Sequence, residues 1–212
     1  MGTTDCLKMS IQHTHDGLAE QLDAARRVIA RPEETRRGCP PIDLFCVGTS
    51  RHLHAVDEVL LPSARVDGDY RAAEHNLGVV LTHLKAHEFG STYEKGFDWS
   101  RGWGEVEDAL SGYRAEEDAM VDWLTDSLPD ERLAMLTERL ERAEATEPTR
   151  PHPYLPHLGM AGRMARRVER VADSFWDAVE GRYVPEPVRP ARKEPGLIGQ
   201  YLLADPRFDE EE

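Results

Sequence analysis

Apolar residues recur at helical spacing along nearly all of the 212-residue chain, and the interruptions are prolines and glycines rather than the turn pairs that close hairpins. This pattern predicts an all-α chain. Leu18, Leu22, Ala25 and Ile29 form one stripe, predicting a first helix over about 14–30 that carries His15 on the same side and ends at Arg31-Pro32. Cys39-Pro40-Pro41 leads into a second helix over about 42–61, stopped by Pro62. A third, over about 69–88, turns Leu77, Val80, Leu81 and Leu84 inward and is closed by Gly90. Residues 91–100 read as a loop with Tyr93, Phe97 and Trp99, and a fourth helix follows over about 103–124. Long helices with short connections predict an up-down four-helix bundle over 1–128, an architecture whose interior commonly holds metal ligands from facing helices.

Pro129-Asp130-Glu131 looks like the first turn of a fifth helix with Leu133, Leu136 and Leu140 as its seam. The run Pro148-Thr149-Arg150-Pro151-His152-Pro153-Tyr154 is too rich in proline to be helical. A sixth helix over about 162–180 then carries Met164, Val168, Val171, Phe175 and Val179 as a stripe that must be buried, so 129–182 is expected to be an additional helical segment packed on the bundle. Residues 183–212 hold Pro185, Pro187, Pro190 and Pro195 in spaced succession, an apolar patch at Leu197-Ile198 and Tyr201-Leu202-Leu203, and an acidic end. They are expected to form an extended, partly disordered tail whose patch docks on the bundle or on another subunit.

Polar residues on apolar stripes carry the chemistry. The second helix reads Leu44, Val47, Arg51, His54, Glu58, Leu61 along one seam, and the fourth reads Val106, Leu110, Tyr113, Glu117, Val121, Leu124. Each seam places a ligand-capable residue one turn before a glutamate, so both point the same way from the helix. A buried carboxylate is costly unless it is paired, hydrogen-bonded or bound to a metal, which makes Glu58 and Glu117 metal-site candidates. Seven of the nine histidines fall between positions 13 and 87. His15 sits on the first seam, as a ligand or as a core histidine satisfied by a carbonyl. His83 and His87 form an HxxxH pair flanking the third seam, a spacing that binds metals, whereas His75 lies on the far side. His13 and His52 point away from the seams and are expected at the surface, and His152 and His157 are expected to decorate a turn. Tyr113 is either a phenolate ligand or a core hydroxyl bonded to a carboxylate.

The net charge of -14 argues against nucleic acid and anionic membrane surfaces as partners. Cys6, Cys39 and Cys46 form no CxxC and leave one thiol over in any pairing, which fits a reducing cytoplasm. No apolar run suits a leader peptide or a membrane span of ~20 residues, so a soluble cytoplasmic protein is expected. The chain has no GxxxxGK[ST], GxGxxG, GxSxG or HExxH, which leaves phosphate cradles and nucleophile elbows without support.

Taken together, His15, the HxxxE of His54 and Glu58, the HxxxH of His83 and His87, and Glu117 resemble the hemerythrin family, in particular the HHE cation-binding domains common in actinobacteria. The resemblance covers roughly residues 10–125, and the 148–153 loop is also similar to the segment that follows the bundle in such proteins. It implies a first-helix ligand at His15, a second-helix pair at His54 and Glu58, third-helix ligands at His83 and His87 with His75 as the alternative counterpart, and a fourth-helix acid at Glu117. Tyr113 stands where the family has histidine. The same resemblance implies a non-haem iron protein, with two irons or one, that reacts with or senses dioxygen, peroxide or nitric oxide and acts in some members as an oxidoreductase. The contrasting expectation is a metal-free helical bundle that serves as an interaction or regulatory module.

Overall fold

The computed structural model describes residues 5–28, 39–65, 68–88 and 99–153, together with 168, 169, 172, 173, 177 and 182–184. These residues form five α-helices and one 3-10 turn, with no strand among them.

Helix α1 (Asp5–Val28) starts well before the expected residue 14. The reason is legible in its stripe, since Leu7, Ile11, His15, Leu18, Leu22 and Ala25 continue one three-and-four spacing and are all buried. Helix α2 (Pro40–Val59) has prolines in its first turn, where a missing N–H loses no helical bond, and Cys39 precedes them in an extended conformation. A 3-10 turn, Leu61–Ser63, carries the chain toward α3 (Gly68–Glu88). Helix α4 (Trp99–Ser127) begins four residues before its expected start at 103. Helix α5 (Asp130–Glu144) opens after Pro129 with Asp130 and Glu131 at its positive end and carries Arg142 in its last turn, which complements the helix dipole.

Helix α2 packs against α1, α3 and α5, α4 packs against α1 and α3, and α5 also lies on α1. The central position of α2 explains why fourteen of its residues, spread round the whole helix, are buried. One core runs through all five helices and includes Ile11, Phe45, Leu60, Tyr70, Leu77, Tyr113, Leu124, Leu133 and Leu136. Helices α1 and α2 approach so closely at Gly48 that a Cβ there would lie 2.8 Å from Gln21 Oε1 and 3.1 Å from Leu18 Cδ2.

The proline-rich stretch after α5 lies across α3, where a Cβ on Gly78 would come within 3.2 Å of Pro153. Asp173 Oδ2 accepts from the backbone N–H of Thr149 and of Arg150, each at 3.0 Å. Arg182 reaches Asp43 on α2 with its Nε at 3.3 Å and the carbonyl of Thr149 with Nη1 at 3.1 Å. Residues 168, 169, 172, 173 and 177 are helical, whereas the rest of the expected sixth helix, His157 and the tail from 185 onward lie outside the described residues. No described helix is long and apolar enough to cross a membrane.

Candidate metal centre

His15 of α1, His52 of α2 and Glu117 of α4 meet in the interior, with ligand-capable atoms all within 4.8 Å of one another. His15 Nε2 lies 2.8 Å and His52 Nε2 3.0 Å from the same oxygen, Glu117 Oε2. Glu117 is 0% exposed, His52 1% and His15 3%. The other carboxylate oxygen, Glu117 Oε1, is buried with no hydrogen-bond partner among the described residues. A carboxylate in the interior normally satisfies both oxygens, so an orphaned one beside two imidazoles marks a position where a cation would complete the bonding. Two imidazoles and one carboxylate are a donor set that divalent transition metals accept, and imidazole nitrogens 2.8 and 3.0 Å from Oε2 stand at the spacing of neighbouring ligands of an ion bound at ~2.1 Å.

His52 is held from both sides, because its Nδ1 lies 2.6 Å from Glu144 Oε1 at the end of α5. With a carboxylate at each ring nitrogen, both nitrogens donate and the ring is an imidazolium. Burial alone would lower the His52 pKa, but the charge and hydrogen bond of Glu117, reinforced by Glu144, outweigh it and lift the pKa to about 10. Burial would likewise raise Glu117, yet the His52 charge and the hydrogen bonds from both histidines bring it down to about 2. Thr14 Oγ1 donates to Glu144 at 3.3 Å and so fixes the outer carboxylate. Loss of the Nε2 proton of His52 would leave Nδ1–H on Glu144, the tautomer that frees Nε2 for a metal.

The remaining candidates fall elsewhere. His54 is buried, but its Nε2 donates to the Arg150 carbonyl at 3.1 Å and its ring stands 6.1 Å from that of His152, on the far side of α2 from His52. Glu58 is half-buried and outside the cluster, and His83 is exposed on α3. The side chain of His87 lies outside the described residues. His75 is exposed, as expected, and bonds the Pro153 carbonyl at 3.0 Å. His152 does more than decorate a turn, since its Nε2 bonds Asp173 Oδ1 at 3.1 Å.

His52 is therefore the correction to the reading of the sequence: expected at the surface, it is among the most buried polar residues. Its signal was present, because Phe45, Thr49, His52, Val56 and Val59 form a second stripe at three-and-four spacing, all buried. Residues two apart on a helix point about 200° apart, so His52 and His54 face opposite neighbours.

Tyr113 completes this side of the core. Its ring stands edge-on to His52 with centroids 6.2 Å apart, and its hydroxyl lies 3.4 Å from that of Tyr70. Burial first, then the charge of Glu117, pushes the Tyr113 phenol well above its ordinary value, so it stays protonated. Beyond Tyr70 lie the buried carboxylates of Asp57 and Glu74, both within reach of Arg71 Nη1, at 3.2 and 2.6 Å. Burial and the neighbouring Asp57 charge raise Glu74 to about 7 against the pull of Arg71. A raised acid favours folding while it is protonated, so its contribution is present below 4.5 and fades as pH rises through about 7. Glu74→Gln keeps the neutral form at every pH and is expected to be more stable than the parent at pH 8, on the order of 1–2 kcal/mol, and equal to it near pH 4. Urea unfolding at the two pH values checks this, and a variant that is weaker at pH 8 would assign Glu74 to the Arg71 ion pair instead.

Fold and site together define an all-helical protein with one buried His-His-Glu donor set among its described residues. No protein-family model, curated protein or solved structure matches the chain.

Proposed function

We propose that the protein is a hemerythrin-like non-haem iron protein in which His15, His52 and Glu117 hold a single iron inside an up-down helical bundle. The observation that carries this reading is the buried Glu117 carboxylate, with one oxygen shared by two imidazoles and the other without a hydrogen-bond partner among the described residues. Glu144 supports it by holding the far nitrogen of His52, as outer carboxylates do for metal-bound imidazoles. One iron is favoured over two because His54 is turned to a carbonyl, while Glu58 and His83 stand outside the cluster. Three protein donors leave coordination positions on the iron, and the chemistry it would supply is reaction with or sensing of dioxygen, peroxide or nitric oxide. The chain's own contribution is to exclude bulk water with the surrounding core, to fix the tautomer of His52 through Glu144, and to keep the Tyr113 phenol beside the site as a neutral donor.

A metal-free interaction module is the second reading. It is favoured by the fact that Glu117, His52 and Glu144 already form a continuous chain of hydrogen bonds. Protein from iron-supplemented cells decides between the two: about one iron per chain is expected by elemental analysis, and no stoichiometric metal would leave the interaction module standing.

Tyr113 gives a spectroscopic check. Its hydroxyl pairs with Tyr70 and its phenol resists ionisation, so the ferric protein is expected to lack a phenolate-to-iron charge-transfer band. Tyr113→Phe should keep its iron. A visible band that vanishes in that variant would make the tyrosine a fourth ligand.

A further inference from the structure

We infer that the cavity between α2, α3 and the segment after α5 binds a small organic carboxylate with a short hydrocarbon body. It is open to solvent on one side and has a volume of about 360 Å³, within the usual range for small-molecule sites. Lys85, Arg150, Arg182 and His152 line it together with apolar Leu81 and Pro151, and no carboxylate lines it among the described residues. In a chain of net charge -14, Lys85, Arg150 and Arg182 bring three basic side chains to one cavity.

The acids that balance these groups stand behind them. Asp43 holds Lys85 and also Arg182 Nε, the latter at 3.3 Å. Asp177 Oδ1 accepts from Arg150 Nε and Nη2 at 3.1 and 2.9 Å, and Asp173 Oδ1 holds His152 at 3.1 Å. Because Lys85, Arg150 and Arg182 line the cavity and Asp43 and Asp177 do not, these ion pairs are dipoles with their positive ends toward the space. The pairs also hold long side chains in place, so an anion entering the cavity would meet donors whose rotamers are already fixed. Guanidinium forks match a carboxylate in shape, and the apolar wall suits a hydrocarbon portion that inorganic phosphate lacks. The cavity shares no lining residue with the His15, His52 and Glu117 cluster, so the inference stands independently of the iron.

Calorimetric titration of the full-length protein with hexanoate, hexan-1-ol and inorganic phosphate tests it. Saturable binding of hexanoate at one site per chain is expected, with Lys85→Gln and Arg150→Gln each weakening it about tenfold, the scale of one hydrogen bond to a charged group. Ala86→Trp fills the cavity while leaving every ion pair intact, and it should abolish binding even if a charge variant fails to fold. Iron content should be unchanged in all three variants. Hexan-1-ol binding as tightly as hexanoate would make the cavity merely apolar, and phosphate binding as tightly would make it a site for inorganic anions. Either result overturns the proposal, as would unaltered affinity in Ala86→Trp or no saturable binding of hexanoate.

Discussion

Glu117→Ala is expected to lose all stoichiometric metal and to unfold about 3–5 kcal/mol more readily than the parent near neutral pH, the penalty typical of removing one partner from a buried ion pair. Glu117 is fully buried and its Oε2 accepts from both His15 and His52, so truncation leaves two interior imidazoles facing a space the core cannot fill with water-like partners. His52 would keep Glu144 at Nδ1, which makes the lower end of the range the expectation where the ring can shed its second proton. Glu117→Gln separates the two effects. It preserves volume and one hydrogen-bond acceptor, so it should recover much of the stability and none of the metal, because a neutral amide is a poor ligand for a divalent ion. Elemental analysis and urea unfolding of the two variants check this directly. Full metal occupancy in Glu117→Gln would remove the carboxylate from the donor set.

The second large effect is the pH dependence, and its direction reverses between metal-free and metal-loaded protein. His52 is raised from 6.5 to about 10, so its stabilising contribution to the metal-free fold is fully present below 6.5 and lost as pH rises through about 10. Glu117 is lowered from 4.5 to about 2, so the same ion pair contributes fully above 4.5 and fades as pH falls through about 2. These are two views of one interaction and are not added together. As far as this pair decides it, the metal-free protein is most stable between 4.5 and 6.5. A metal, by contrast, must displace the Nε2 proton of His52, so its apparent affinity should climb about tenfold per pH unit across the neutral range. Zinc titrations at pH 7 in buffers of different ionisation enthalpy should record release of at least one proton per ion bound. Release of no proton would mean that His52 is not an imidazolium in the metal-free protein, and the paired carboxylates at its two nitrogens would then need another explanation.

The glutamate at position 144 shows what kind of contribution sequence reading misses. It lies at the end of α5, whose apolar seam of Leu133, Leu136 and Leu140 was legible as a helix face and is buried. Nothing in that periodicity says that the last turn of α5 reaches across to α2, because that contact depends on how α5 lies on α1 and α2. Glu74 is similar. It is buried beside Asp57 although the sequence offered only its neighbour His75 as a candidate, and His75 is exposed.

What the sequence by itself determined is the helical character of the chain, the order of its first five helices, and the inward direction of His15 and Glu117. Both residues sit on helices with one apolar stripe, and for such helices a single facing direction follows from the spacing of Leu18, Leu22 and Ala25 or of Val106, Leu110, Val121 and Leu124. Tertiary structure decided the choice between His52 and His54. Helix α2 is packed on by α1, α3 and α5, so it carries buried residues all round and two stripes instead of one. Periodicity identifies stripes but does not say which neighbour each will meet. The stripe through Phe45, His52 and Val59 meets Glu117 and Glu144, while His54 meets the chain returning after α5. Charge followed the same rule: the sequence supplied a histidine and two glutamates, and only their convergence in the buried interior made the histidine an imidazolium and held the carboxylate beside it ionised.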